Sequence, residues 1–203
     1  MSEVLATTVS HHDAHHLAAP KALFGFWIYL MTDCVLFATL FATYAVLHNN
    51  TSGGPAGREL FNLPFVLAET LILLTSSFSC GLMMLAAHRH NKKLVLVWLA
   101  LTAALGVGFL AMELTEFHQL VVAGNSWRRS GFLSAFFTLV GTHGLHIATG
   151  LLWMVVTGVV VVRHGITTLT LRRLTLLSLF WHFLDIIWIF IFTIVYLMGT
   201  QPL

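Results

Sequence analysis

FLSAFFTLVGTHGLHIATGLLWMVVTGVVVV, residues 132–162, runs for 31 residues without a Lys, Arg, Asp or Glu. A helical segment of about 20 apolar residues crosses the roughly 30 Å of hydrocarbon in a bilayer, so this run is long enough to span a membrane. Four more apolar runs lie at residues 24–47, 63–87, 94–116 and 174–199. None alternates with the period of two that barrel strands show between turn residues. Composition agrees, because 58% of the residues are hydrophobic and 9% charged, whereas a soluble domain carries about 25% charged residues. The expected fold is an all-α membrane protein, a bundle of five transmembrane helices over residues 24–199.

Residues 1–23 form a polar leader containing His11, His12, His15 and His16, read as a flexible tail to which no function is assigned. The first span follows that leader and is about twice the length of a signal-peptide core, so it is expected to remain in the mature protein. Cys34 and Cys80 both fall inside apolar runs without paired spacing, which gives a disulfide or haem-attachment motif nothing to stand on. The connection at residues 48–62 holds Gly53, Gly54 and Pro55, the chemistry of a turn. No internal repeat is visible, and the short connections make one bundle.

Lys and Arg in the connections orient the chain. Seven of the ten, Lys21, Arg89, Lys92, Lys93, Arg163, Arg172 and Arg173, fall on one side, and Arg58, Arg128 and Arg129 on the other. The N-terminus is therefore expected in the cytoplasm and the C-terminus in the periplasm. These short basic clusters are explained by topology, so nucleic acid is not an expected partner.

Against this apolar background, Asp33, Glu69, Glu113, Glu116 and Asp185, together with His143, His146 and His182, stand inside the runs or at their ends. At 1.5 Å per residue, Asp33, His143, His146, His182 and Asp185 fall near mid-membrane, and the three glutamates fall toward the outer side, where water makes charge less costly. An acid at a helix centre costs about 2.5–3.5 kcal/mol before it finds a partner. His143 with His146, and His182 with Asp185, are three residues apart and share a helix face. Interhelical carboxylate–imidazole bonds would satisfy them, and so would a protonated, neutral Asp33 or Asp185.

Three functional readings compete with that structural one. The histidines and glutamates are residue types that ligate metals or haem, but a carboxylate-bridged di-iron bundle needs Glu-x-x-His, and neither Glu113 nor Glu116 has a His three residues on. Intramembrane acids and histidines also build proton relays. The third reading is assembly, in which polar contacts hold the bundle and part of it faces a larger partner. No Gly-rich phosphate loop or nucleophile triad is present.

Trp181-His182-Phe183-Leu184-Asp185-Ile186-Ile187-Trp188 with Val195-Tyr196-Leu197-Met198-Gly199 resembles the last helix of subunit III of the haem-copper oxidases. Gly141-Thr142-His143-Gly144-Leu145-His146 resembles the helix before it, and Glu69-Thr70 with Ser76-Ser77 resembles the family's Glu-bearing helix. Many members have seven spans and this chain has five. Its leader, and the segments at residues 24–31 and 130–137, resemble the bacterial quinol-oxidising branch. The resemblance implies a non-catalytic accessory subunit of a proton-pumping terminal oxidase that oxidises ubiquinol and reduces oxygen to water. It would support assembly, stability and proton uptake by the catalytic subunit. It implies haems and copper in that partner and none in this chain, no catalytic or metal-ligating residue here, and bound phospholipid in a cleft between helices. The expected partners are oxidase subunits I, II and IV and membrane lipids, in the bacterial inner membrane. The eight acids and histidines become candidates for a buried polar network or for that cleft. Subunit III of a cytochrome c oxidase is the nearest alternative, and an autonomous proton or ion transporter is the alternative from another class.

Overall fold

A computed structural model describes residues 2–52, 60 and 62–200, with side chains described within residues 21–199. Every regular element among the described residues is helical. The long helices are α1 (Ser2–Leu47), α2 (Leu63–His88), α3 (Lys92–Val122), α4 (Gly131–His164) and α5 (Thr168–Ile191). A π turn, Phe192–Leu197, and a short 3-10 turn, Met198–Thr200, continue α5. Among the described residues, five segments are long and apolar enough to cross a membrane: Lys21–Leu47, Leu63–His88, Lys92–Val122, Gly131–His164 and Thr168–Leu197. The chain is a multi-pass membrane protein. The leader's four histidines and Arg58 lie outside the described side chains.

Two spans reach further than the apolar runs suggest. Span three continues six residues past 116 to Val122, and span five starts six residues before 174, at Thr168. Apolarity ends where the membrane does, whereas a helix ends where its backbone is capped. Thr167 caps α5 by accepting from Thr170 N at 3.2 Å, and Ser130 caps α4 by accepting from Leu133 N at 3.2 Å. Asn91 accepts from Leu94 N at 3.3 Å to open α3, and a proline in the first turn of α2 suits a position with no intrahelical N–H partner. Between α4 and α5 the chain reverses through Gly165, whose φ of +70° favours a residue without Cβ.

Two compact units divide the chain, Met1–Leu36 and Phe37–Leu203, with the boundary inside α1. In the first, the Thr32 hydroxyl donates to the Tyr29 carbonyl at 2.6 Å, and the Tyr29 ring packs 5.7 Å from Phe26. In the second, α2 packs on α3, α3 on α4, α4 on α5, and α5 returns to α2, closing a four-helix ring. At one end of this ring Lys92 Nζ donates to the Val162 carbonyl at 2.8 Å, so the α2–α3 and α4–α5 turns lie together. At the other end Phe132 N donates to the Asn50 carbonyl at 3.1 Å, and within the membrane the Tyr44 hydroxyl donates to Val195 O at 3.3 Å.

Aromatic rings fill the interior, and small residues make the room. Trp181 of α5 lies between Gly106 of α3 and Gly150 of α4: a Cβ added at Gly106 would stand 2.8 Å from Trp181 Cη2, and one at Gly150 would stand 3.0 Å from Cζ3. Only glycine lets both backbones approach the indole this closely.

Candidate polar interior

Polar side chains gather in two groups, one inside the ring and one on a seam between two of its helices. The first gathers the three glutamates. Glu116 of α3 accepts from the Tyr196 hydroxyl at 2.7 Å. Glu69 of α2 and Glu113 of α3 lie within electrostatic range of Glu116 and of each other. Glu113 lies over Gly144 of α4, where an added Cβ would fall 2.6 Å from its Oε1. Glu69 and Glu113 are 0% and 2% exposed, so these acids are interior groups and do not sit at a wet rim. Glu113 lies nine residues, about 14 Å, before the end of α3 at Val122, and Glu69 six residues, about 9 Å, after the start of α2 at Leu63. Neither oxygen of Glu69, nor Oε2 of Glu113, has a hydrogen-bond partner among the described residues.

The second group lies on the α2–α5 seam. Ser77 Oγ and His182 Nδ1 are 2.6 Å apart, and the Asp185 carboxyl lies near the same hydroxyl, with its Oδ1 buried and without a hydrogen-bond partner among the described residues. This places His182 and Asp185 together, as their spacing of three suggests, with the seam crossed by a serine. A ladder of hydroxyls continues along the interior. The Trp181 indole donates to Ser76 Oγ at 3.1 Å, Ser76 donates to the Thr102 carbonyl at 3.1 Å, and Ser79 meets Thr102 Oγ1 at 2.7 Å. Trp188, too deep for an interfacial belt, donates from its indole to Thr70 Oγ1 at 3.0 Å.

His143 is fully buried and held by rings, stacked on Trp188 at 5.3 Å with Phe109 edge-on at 5.9 Å and Phe37 at 6.4 Å. Its two nitrogens have no hydrogen-bond partner among the described residues. His146 bonds the Thr142 carbonyl through Nδ1 at 2.7 Å, and its ring lies 5.2 Å from Phe37. Asp33 lies in the other unit, one turn after Tyr29, and the two side chains are hydrogen-bonded. Among the described residues no three His, Cys, Asp or Glu side chains converge as a metal-ligand set.

The residues missed as site candidates are Ser77, Thr70, Tyr196 and the Ser76–Ser79–Thr102 ladder. A buried hydroxyl or indole needs a partner, and that requirement is the signal they carried. Tyr196 was the hardest to place. In a regular α-helix eight residues make about 2.2 turns, leaving it roughly 80° around from Trp188. The wider π turn at Phe192–Leu197 slows that rotation, and the two rings meet at 6.2 Å on the inner face.

The family model for cytochrome c oxidase subunit III matches residues 3–200. The cytochrome bo(3) ubiquinol oxidase subunit 3 of Pseudomonas aeruginosa is 55% identical over 196 residues, 96% of this chain and 94% of that protein. Quinol oxidase subunit 3 of Bacillus subtilis is 45% identical over 183 residues, 89% of each chain. Cytochrome c oxidase subunit 3 of Bacillus sp. strain PS3 is 43% identical, covering 90% of this chain and 88% of that protein.

Proposed function

Since the chain belongs to the cytochrome c oxidase subunit III family, we propose that it is the accessory third subunit of a bacterial ubiquinol oxidase. Membership makes other oxidase subunits its partners. The observation that carries the quinol reading is the 55% identity, over nearly the whole of both chains, to a relative named for ubiquinol oxidation. Electron transfer from ubiquinol to oxygen then takes place on haems and copper of the catalytic subunit, and this chain contributes no redox centre. Its contribution is to assembly with subunits I, II and IV, to lasting turnover, and to proton uptake by its neighbour. The rival donor is cytochrome c, favoured by the relative of that name at 43% identity.

The basic turns support an inner-membrane topology with the N-terminus in the cytoplasm. Arg89, Lys92 and Lys93 share one end of the ring with Arg163, Arg172 and Arg173, and the Lys92–Val162 bond ties those turns together. The exposed apolar faces, Leu145, Leu152 and Val155 on α4 among them, suit lipid, and bound phospholipid is part of this reading.

Affinity purification through a tag on this chain tests the proposal. Haem-bearing chains should co-purify, and oxygen uptake should be driven by a short-chain ubiquinol and not by reduced cytochrome c. Deleting the chain should lower the yield and the operating lifetime of the complex while leaving initial turnover per haem close to normal. Uptake driven by cytochrome c alone would transfer the chain to the cytochrome c branch. Proton flux through vesicles holding only this chain, lost in Asp33→Asn or Asp185→Asn, would replace the proposal with a transporter.

A further inference from the structure

His182 is the fifteenth of the 30 residues of Thr168–Leu197, and Ser77 the fifteenth of the 26 of Leu63–His88, so the Ser77–His182–Asp185 group lies at mid-depth. Ser77 and Asp185 are buried, and His182 is half-buried. With Nδ1 held by Ser77, Nε2 is the ring's free polar atom among the described residues.

The direction of the hydrogen bonds follows from charge. A neutral Asp185 donates its O–H to Ser77, Ser77 donates to Nδ1, and the imidazole hydrogen sits on Nε2. An ionised Asp185 beside a protonated His182 reverses both bonds and again leaves a hydrogen on Nε2. Two arrangements remain: an ionised Asp185 with a neutral His182 places a net charge in hydrocarbon, and a neutral Asp185 that accepts from Ser77 while His182 donates from Nδ1 leaves the carboxyl O–H on Oδ1, which is buried without a partner among the described residues, so both are disfavoured. The two favoured arrangements therefore both leave an N–H donor on Nε2, an atom that is not among the buried unpartnered ones.

We propose that this N–H is a docking point for a transmembrane helix of another oxidase subunit, one presenting a hydrogen-bond acceptor at mid-membrane. The inference rests on the oxidase reading above and names the atom through which that partner is met. Lipid cannot supply the acceptor, because its carbonyls lie about 15 Å away, half the thickness of the hydrocarbon. The exposed side chains on the two helices beside the group, Ile186, Leu74 and Phe78, are apolar and cannot supply it either. Association of helices in lipid has little hydrophobic drive, so a preorganised donor at this depth favours a partner that can accept. Suitable acceptors are a Ser or Thr hydroxyl or a main-chain carbonyl freed at a helix kink.

A diazirine-bearing residue in place of Ile186, one turn from His182, tests this in the whole complex, with the same replacement at exposed Leu152 of α4 as control. On illumination the Ile186 position should cross-link to another oxidase subunit and the Leu152 position to lipid. His182→Phe, which keeps the ring and removes both nitrogens, should lower co-purification of the other subunits about tenfold at an unchanged level of this chain. If subunits co-purify and the Ile186 adduct is lipid alone, the inference is overturned and the oxidase reading stands. If no oxidase subunit co-purifies with the unaltered chain, both are overturned.

Discussion

The two polar groups of the second unit hold acids of the same chemistry in opposite ways. On the α2–α5 seam one carboxyl, Asp185, is chained through Ser77 to His182. In the glutamate group the one phenol, Tyr196, donates to Glu116 alone, and among the described residues both oxygens of Glu69 and one of Glu113 lack a hydrogen-bond partner, against a single oxygen, Oδ1, of Asp185. A chained acid can pass its hydrogen along defined bonds and keep the group neutral. Bunched acids relieve one another only by holding protons, because like charges in an apolar interior are costly. Intramembrane acids are therefore better judged by the partners around them than by their number.

The largest effect that would break this contrast is expected at Gly144→Ala, which drives a methyl into Glu113 Oε1. Overpacking of this kind costs about 1–3 kcal/mol, and thermal unfolding of the purified complex should shift downward accordingly. Adding Glu113→Ala should restore most of the loss. A strictly additive double variant would show that the crowding lies elsewhere. Tyr196→Phe comes next, since it removes the one donor to Glu116 among the described residues and should cost about 1–2 kcal/mol in the same melt. Infrared difference spectra in the carboxylic C=O region should change with it, and an unaltered spectrum would remove Tyr196 from the group. The smallest effect is expected for Ser77→Ala, about 1 kcal/mol, because His182 and Asp185 remain three residues apart on one helix face and can still meet each other. A loss larger than that of Tyr196→Phe would make the serine, and not the pair, the centre of the seam.

Much of this architecture is legible in the sequence, for reasons that also explain what is not. Residues 132–162 announce a span because hydrocarbon tolerates no charge there, and His182 with Asp185 announce a shared face because three residues is nearly one helical turn. Glu113 and Glu116 mislead for the same reason. They interrupt an apolar run, so the run stops at 116, while the backbone continues as a helix to Val122 and carries them inside. Ser77 and His182 are 105 positions apart, and no local pattern joins them. Tyr196 depends on a local widening of the helix that its flanking residues do not signal.

Trp181, one residue before His182, is seated between Gly106 and Gly150 on two different helices. A wide ring gripped from both sides prevents α5 from sliding lengthwise past α3 and α4, as a peg prevents two boards from shifting. The height of His182 above either membrane surface is therefore set by glycines on other helices. Enlarging either glycine would raise or lower the imidazole relative to anything waiting to meet it, without touching the imidazole itself.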